Sequence, residues 1–417
     1  MRRRFVVVGG TCCLAVAGAS CAAPTTHTTP TTSSAATGPT TSGGSGPSVP
    51  SGPSTTLAPR PGPPTGGPVP AGFEPGSVSL VSATTAFVIG VDASCPAGRC
   101  VALARSTDGG SHWVSLATPG AGYAPNGVSV ASGTAGVSEV RFASDLDGWM
   151  FGPALFATHD GGRSWAQIAL SGSVVALEPS GGYVDALVSP CRGVEECTGP
   201  LVLEQAPATG GPFVTVLTGQ PTESSSDTFS ALALHAPDAF VVLSGALHAP
   251  ATIFATANIA DPNGWNAFPD PCASVPSSDL GSMVAPDTSS LYALCVGPGA
   301  AGSSDKTIVR TQDGRSTVVG DAPAPGAGGV LAATSSGTLL LAASSGASWL
   351  FRSSDGGSTW STAATYDDGG IGFADLGFAT PTVGAVVHGV PGPPTNVTSQ
   401  LLMTVDAGTS WHAVPIG

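Results

Sequence analysis

Four aspartates stand in turns of nearly the same sequence: Ser106-Thr-Asp-Gly-Gly-Ser-His-Trp113, Thr158-His-Asp-Gly-Gly-Arg-Ser-Trp165, Ser353-Ser-Asp-Gly-Gly-Ser-Thr-Trp360 and Thr404-Val-Asp-Ala-Gly-Thr-Ser-Trp411. A carboxylate so placed has two kinds of chemistry open to it. It could pass a proton in a hydrolase, or it could accept backbone N–H bonds and lock a hairpin. Repetition decides. Copies in matching positions of different units cannot meet in one active site, so Asp108, Asp160, Asp355 and Asp406 are read as structural. The first Gly of each turn supplies φ > 0, and Trp113, Trp165, Trp360 and Trp411 fill the space between units. Weaker copies keep Asp313 without its Trp, Asp261 with Trp265, and only the glycines of Ala208-Thr-Gly-Gly-Pro212.

The remaining reactive residues form no familiar set. There is no His-Glu-x-x-His, Gly-x-Ser-x-Gly, P-loop or dinucleotide fingerprint, so no cofactor and no metal is expected. Asp145-Leu-Asp147-Gly opens like a calcium loop but lacks its third acid and distal Glu. It reads as a turn with solvent-facing acids, and Tyr366-Asp-Asp-Gly-Gly370 as a rim loop. His112, His159 and His412 adjoin box residues and are expected to be solvated. Beyond Cys21 the cysteines fall into neighbouring pairs, Cys95/Cys100, Cys191/Cys197 and Cys272/Cys295. An even number in an exported chain reads as disulfides. Six allow fifteen pairings, and the local one rests on proximity. Zinc fits poorly, because neither short pair has a nearby His pair.

These turns need elements to hold them. Marking each Asp, or Thr209 in the slot that lost it, gives steps of 42 to 52 residues. A short apolar strand precedes each turn, as at Val101–Arg105. Upstream of it lies a strand–turn–strand pattern such as Val140–Gly152. One unit is thus four short antiparallel strands, and seven units fill Pro75–Gly417. The expected fold is all-β: a seven-bladed β-propeller of four-stranded antiparallel blades. Buried on both faces, blades leave room for few charges, and only 10% of residues are charged.

The pattern Ser/Thr-x-Asp-x-Gly-x-Ser/Thr-Trp resembles the Asp-box, or bacterial neuraminidase (BNR) repeat, of sialidases, sortilin-type receptors and other glycosidases. The Asp-Gly-Trp at Asp147–Trp149 followed by the box at Thr158–Trp165 is most similar to the Ycf48/Hcf136-like photosystem II assembly factor propellers. This resemblance implies a propeller and is nearly silent on activity. A sialidase would need an arginine triad, a Tyr nucleophile activated by a Glu, and an acid/base Asp. No Arg-Ile-Pro segment occurs. Arg105, Arg310 and Arg352 each precede a box Asp, and Arg163 and Arg315 lie inside boxes, which leaves Arg99, Arg141 and Arg192. None of Tyr123, Tyr183, Tyr292 and Tyr366 can be paired with a Glu from sequence. The acidic head would also repel an anionic sugar. Glycoside hydrolysis from the central cavity is the alternative reading, with no catalytic residue assigned.

Residues 1–20 have the basic start and apolar run of a signal peptide. The run is shorter than the ~20 residues a membrane helix needs. Gly18-Ala-Ser-Cys21 resembles a lipoprotein cleavage box with Gly18 in place of the usual Leu, so Cys21 is the expected lipidation site. Cleavage after Ala17 or Ala19, giving a secreted protein, is the alternative. Residues 21–70 read as a disordered Thr/Pro/Ser/Gly stalk, and residues 71–417 as the propeller. Net charge is −14, without a basic patch for nucleic acid. Near absence of Lys with abundant Ala, Gly and Thr points to a GC-rich genome such as an actinobacterium's.

The expected function is that of an exported, membrane-tethered, monomeric, non-enzymatic propeller. Its loop face would bind a protein or cell-surface glycan. The loops at Cys95–Cys100 and Cys191–Cys197 both precede a third strand and share one face, the expected contact face.

Overall fold

In the computed structural model the described residues are 60, 62–95, 100–124, 136–190, 198–223, 228–246, 249–392 and 398–417. Cys21, Arg99, Arg192, Cys191, Cys197 and the expected signal peptide lie outside them. The strands follow the repeats. Blade 1 holds β1 (Phe73–Leu80), β2 (Ala86–Asp92), β3 (Cys100–Ser106) and β4 (Val114–Leu116). Two short strands, β5 (Gly122–Tyr123) and β6 (Gly136–Val137), pair with each other before blade 2. Blade 2 holds β7 (Glu139–Phe142), β8 (Gly148–Phe151), β9 (Leu155–Thr158) and β10 (Ala166–Ile168). Blade 3 holds β11 (Ser173–Ser180), β12 (Tyr183–Ser189), β13 (Thr198–Pro207) and β14 (Val214–Glu223). Blade 4 holds β15 (Thr228–His235), β16 (Asp238–Ala246), β17 (Ala249–Thr256) and β18 (Asn266–Phe268). Blade 5 holds β19 (Asp279–Val284), β20 (Ser290–Ala300), β21 (Ser303–Gln312) and β22 (Arg315–Asp321). Blade 6 holds β23 (Val330–Ala333), β24 (Leu339–Ser344), β25 (Ser348–Ser353) and β26 (Ser361–Tyr366). Blade 7 holds β27 (Phe373–Phe378), β28 (Gly384–His388), β29 (Gln400–Thr404) and β30 (His412–Val414).

Within each blade consecutive strands pair as antiparallel neighbours. The first strand of each blade packs against the first strand of the next, and β27 returns to β1, so the seven sheets close a ring around an axis. The strands read as apolar runs and not as alternating ones because both faces are covered. Seven buried clusters fill the seven seams. Phe87, Leu103 and Val140 join blades 1 and 2, Trp149 and Leu177 blades 2 and 3, Leu203 and Val241 blades 3 and 4. Ile253 and Leu280 join blades 4 and 5, Leu294 and Leu339 blades 5 and 6, Leu350 and Val386 blades 6 and 7. Val88 and Leu401 close blade 7 onto blade 1. Among the described residues, no strand from the start of the chain enters the sheet of blade 7. Closure therefore depends on side chains.

The compact unit begins earlier than the sequence suggests. Gly67 exchanges both backbone hydrogen bonds with Ser115 (2.9 and 2.8 Å), and Val69 packs into the seam between blades 7 and 1. Arg105 donates to the Pro64 carbonyl at 2.6 Å and Arg163 to that of Gly62 at 3.1 Å. A stretch that composition assigns to the stalk is thus part of the head, because its own carbonyls meet two guanidinium groups. Among the described residues no helix is long and apolar enough to cross a membrane.

Candidate functional site

Two ends of the ring differ in what they carry. At one end lie the turns between first and second strands and the box turns between third and fourth strands. In each full box a hydroxyl and a carboxylate divide the turn's N–H groups. Thr404 Oγ1 accepts from Gly408 N–H at 2.9 Å and donates to Asp406 Oδ1, which accepts from Ser410 N–H at 2.9 Å. Ser106 with Asp108, Thr158 with Asp160, and Ser353 with Asp355 repeat this arrangement. Hydrogen bonds from Thr359 hold the Asp355 carboxyl at about 2, and bonds from Ser410 do the same for Asp406. The four full boxes follow β3, β9, β25 and β29 and so lie in four different blades.

The box tryptophans all pack toward the preceding blade: Trp113 on blade 7, Trp165 on blade 1, Trp265 on blade 3, Trp360 on blade 5 and Trp411 on blade 6. They are half-buried, whereas Trp149, outside any box, is only 1% exposed. The tighter requirement falls on the second glycine. Gly110, Gly162, Gly357 and Gly408 all have positive φ, and a Cβ on Gly110, Gly357 or Gly408 would press on the preceding blade, whereas on Gly162 it would only touch Leu103 and Leu116 at ordinary contact distance. At Gly408 it would lie 2.9 Å from Leu340 Cδ1. The first position tolerates a side chain, since Ala407 occupies it at φ 59°. Gly408→Ala is therefore expected to cost about 1–3 kcal/mol. Ala407→Gly should gain up to about 1 kcal/mol, and urea denaturation of both variants separates the two glycine roles.

The eroded boxes adopt other solutions. Asp313 (φ 51°) and Gly314 (φ 73°) form the two-residue turn joining β21 to β22, which corrects the reading of Asp313 as a box carboxylate. Both central residues at φ > 0 make a tight hairpin turn, in which the backbone itself closes the loop. The Asp261 carboxylate accepts from Asn263 N–H and the Asp261 carbonyl from Gly264 N–H, both at 3.0 Å. Asp147 is also corrected: it is buried, accepts from Ser144 Oγ and pairs with His159 Nδ1 at 2.9 Å. Asp368 is no rim acid either. It accepts from Ser348 Oγ (2.6 Å) and Gly370 N–H (2.8 Å) and meets His388 Nε2 at 2.7 Å beneath the Tyr366 ring.

The opposite end carries the described disulfides. Cys95–Cys100 ties the end of β2 to the start of β3, and Cys272–Cys295 ties the link before blade 5 to β20. Both are consistent with an exported protein.

The axis holds what the sequence did not reveal. Arg141, on β7, is buried and donates from Nε to Glu178 of blade 3 at 2.7 Å and from Nη2 to Asp375 of blade 7 at 3.3 Å. Its Nη1 reaches the Val78 carbonyl of blade 1. Val78 N–H in turn donates to Asp375 Oδ2 at 2.9 Å. Asp375 sits at φ 55° where the register of β27 against β28 shifts, a bulge that aims its carboxylate inward. Burial works against the guanidinium charge, but Glu178 and Asp375 outweigh it and raise the Arg141 pKa. Its partners lie 37 and 234 residues away, so no local motif could mark them.

Beside this trio a cavity of about 320 Å³ opens at the box end, walled by the inner strands and turns of blades 3 to 7. Leu234, Val284, Pro286 and Phe378 supply apolar wall, with Glu178 and His235 the titratable groups. A second space of about 150 Å³ shares Glu178, Leu376, Gly377 and Phe378 and reaches Arg141 and Asp375. The other described arginines do not converge here: Arg310 meets Ser290 and Arg352 the Ala407 carbonyl. Among the described residues no three His, Cys, Asp or Glu side chains are grouped to hold a metal.

Fold and axis together define a seven-bladed β-propeller closed by side chains. No family model and no curated protein matches the chain. Among solved structures it is similar to YCF48 bound to a D1 peptide, at TM-score 0.51 and 18% identity over 81% of this chain and 95% of that one. YCF48 from Cyanidioschyzon merolae gives 0.51 and 14%, over 81% and 97%. An oligogalacturonate lyase from Vibrio parahaemolyticus gives 0.53 and 9%, over 81% and 92%. Such low identities show the fold alone.

Proposed function

We propose that the chain is an exported, lipid-tethered binding propeller that receives part of a protein partner in the axial cavity at its box end. The observation that carries this reading is the state of the charged groups at the axis. Arg141 is already engaged by two carboxylates and two carbonyls, so it is not poised to grip a substrate carboxylate. The surrounding walls combine apolar side chains such as Leu234, Val284 and Phe378 with the polar Thr334, Ser335 and Thr380, an arrangement that buries apolar surface while a few polar groups fix the guest. The likeness to a propeller bound to a peptide supports the same reading by analogy of fold. The contact face thereby moves from the disulfide end, where sequence placed it, to the opposite end.

A photo-crosslinking residue at Ser335, on the cavity rim, is the direct test in intact membranes. Ser94, exposed beside Cys95, serves as the control position. One discrete adduct from Ser335 and none from Ser94 is expected. An adduct from Ser94 alone would return contact to the disulfide end. Hydrolysis of a fluorogenic glycoside, abolished by Glu178→Gln, would replace the binding reading with the glycosidase one.

A further inference from the structure

We infer that the link between blades 5 and 6 is a cation site built of backbone carbonyls, occupied by the chain's own Lys306 ammonium and able to take a free alkylammonium when that side chain is cut back. Lys306 is the single lysine of the sequence. It lies on β21, and only 2% of it is exposed. Lysine is almost never buried so fully unless its charge is met. Here the charge is met by dipoles. Nζ donates to the carbonyls of Ala324 and Gly326 at 2.7 Å and of Pro325 at 3.1 Å, with those of Pro323 and Ser304 at 3.3 and 3.4 Å. An ammonium has three protons, so these oxygens exceed what hydrogen-bond pairing alone asks for. They surround a positive charge as the carbonyls of an ion filter do. Burial pulls the Lys306 pKa down to about 8, against the nearby Asp305 charge, so the head carries its proton at pH 7.

The link is shaped for this. Neighbouring carbonyls of a regular strand alternate in direction, yet those of Pro323, Ala324, Pro325 and Gly326 converge on one atom. The two prolines bring acceptors without a competing N–H. Gly326 turns the chain at φ 88°, and a Cβ there would lie 2.8 Å from Ala343 Cβ on β24. Backbone bonds fix the frame. Ala322 N–H donates to the Lys306 carbonyl at 2.8 Å, Ser304 N–H to that of Ala324 at 3.1 Å and Gly326 N–H to that of Gly302 at 3.0 Å. The frame thus hangs on blade 5 and packs on blade 6 by its backbone, so its oxygens keep their places without the lysine stem.

Two measurements on the intact protein test this. With lysine alone carrying heavy nitrogen at Nζ, the magnetic resonance spectrum at pH 7 is expected to show one ammonium signal protected from exchange with water. Lys306→Ala removes the equivalent of propylammonium and is expected to lower Tm by about 5 °C. Propylammonium chloride at about 0.1 M should restore most of that loss. Propanol and tetramethylammonium chloride at the same concentration should not, and the parent should respond to none of the three. Equal rescue by propanol would reduce the site to packing around the stem and overturn the cation reading. Absence of any rescue by propylammonium would overturn it too. An Nζ signal lost to water exchange in the parent would do the same, whether or not the variant folds.

Discussion

Arg141→Met is expected to lower the unfolding free energy by about 3–5 kcal/mol, the usual cost of stripping one partner from a buried ion pair. Three facts place the effect at this upper end. The guanidinium is buried, it faces Glu178 at 2.7 Å and Asp375 at 3.3 Å, and it joins elements of blades 1, 2, 3 and 7. Without it two carboxylates remain near each other with no cation between them. Among the described residues no strand exchange bolts blade 7 to blade 1, so this trio and the Val88–Leu401 seam carry the closure. Urea denaturation of the intact protein measures the loss. Adding Asp375→Asn to Arg141→Met should recover about half of it, since asparagine tolerates φ 55° and still accepts from Val78 N–H. A loss below about 1 kcal/mol would mean that apolar packing alone closes the ring.

Asp185→Asn is expected to stabilise the protein at pH 8 and to do little at pH 4. Asp185 lies on β12, fully buried, and its Oδ1 accepts from Gln205 Nε2 at 2.9 Å, which also donates to the Ile259 carbonyl of blade 4. Burial raises its pKa to about 7, against the smaller opposing effect of the Gln205 hydrogen bond. The folded state therefore holds a proton that the unfolded state, near 3.8, has released. Stability from this group is full below about 4 and is lost as pH rises through about 7. Its removal is worth roughly 4 kcal/mol at alkaline pH. The box carboxylates act the other way. Held at about 2 in the fold, they contribute above about 4 and lose that contribution as pH falls toward 2. Thermal melts from pH 4 to 9 should show a declining Tm in the parent and a flatter profile in the variant. Parallel profiles would place the Asp185 carboxyl in an ordinary polar environment.

Repetition made the architecture legible. A box recurring in step with a strand–turn–strand pattern admits one radial solution, and Asp108, Asp160, Asp355 and Asp406 appear in it with matched hydrogen bonds. Where the repeat decays, the reading decays with it: Asp313 closes a two-residue turn. Asp147 lies outside the boxes, and its burial against His159 is set by the fold. The glycine requirement was assigned to the first position because local dihedrals are visible in a turn sequence. The demand at Gly408 comes from Leu340 of the neighbouring blade, which no single turn can display.

Sequence by itself determined the number of blades, the strands within each and the carboxylates that brace their turns, because each is a short-range property written several times over. Only tertiary structure decided what stands on the axis. Arg141, Glu178 and Asp375 belong to different repeats and share no spacing, and they meet because closing the ring brings the inner strands of all blades to one line. Ring closure likewise sets the cavity beside them, since its walls come from five blades and exist only when the circle is complete.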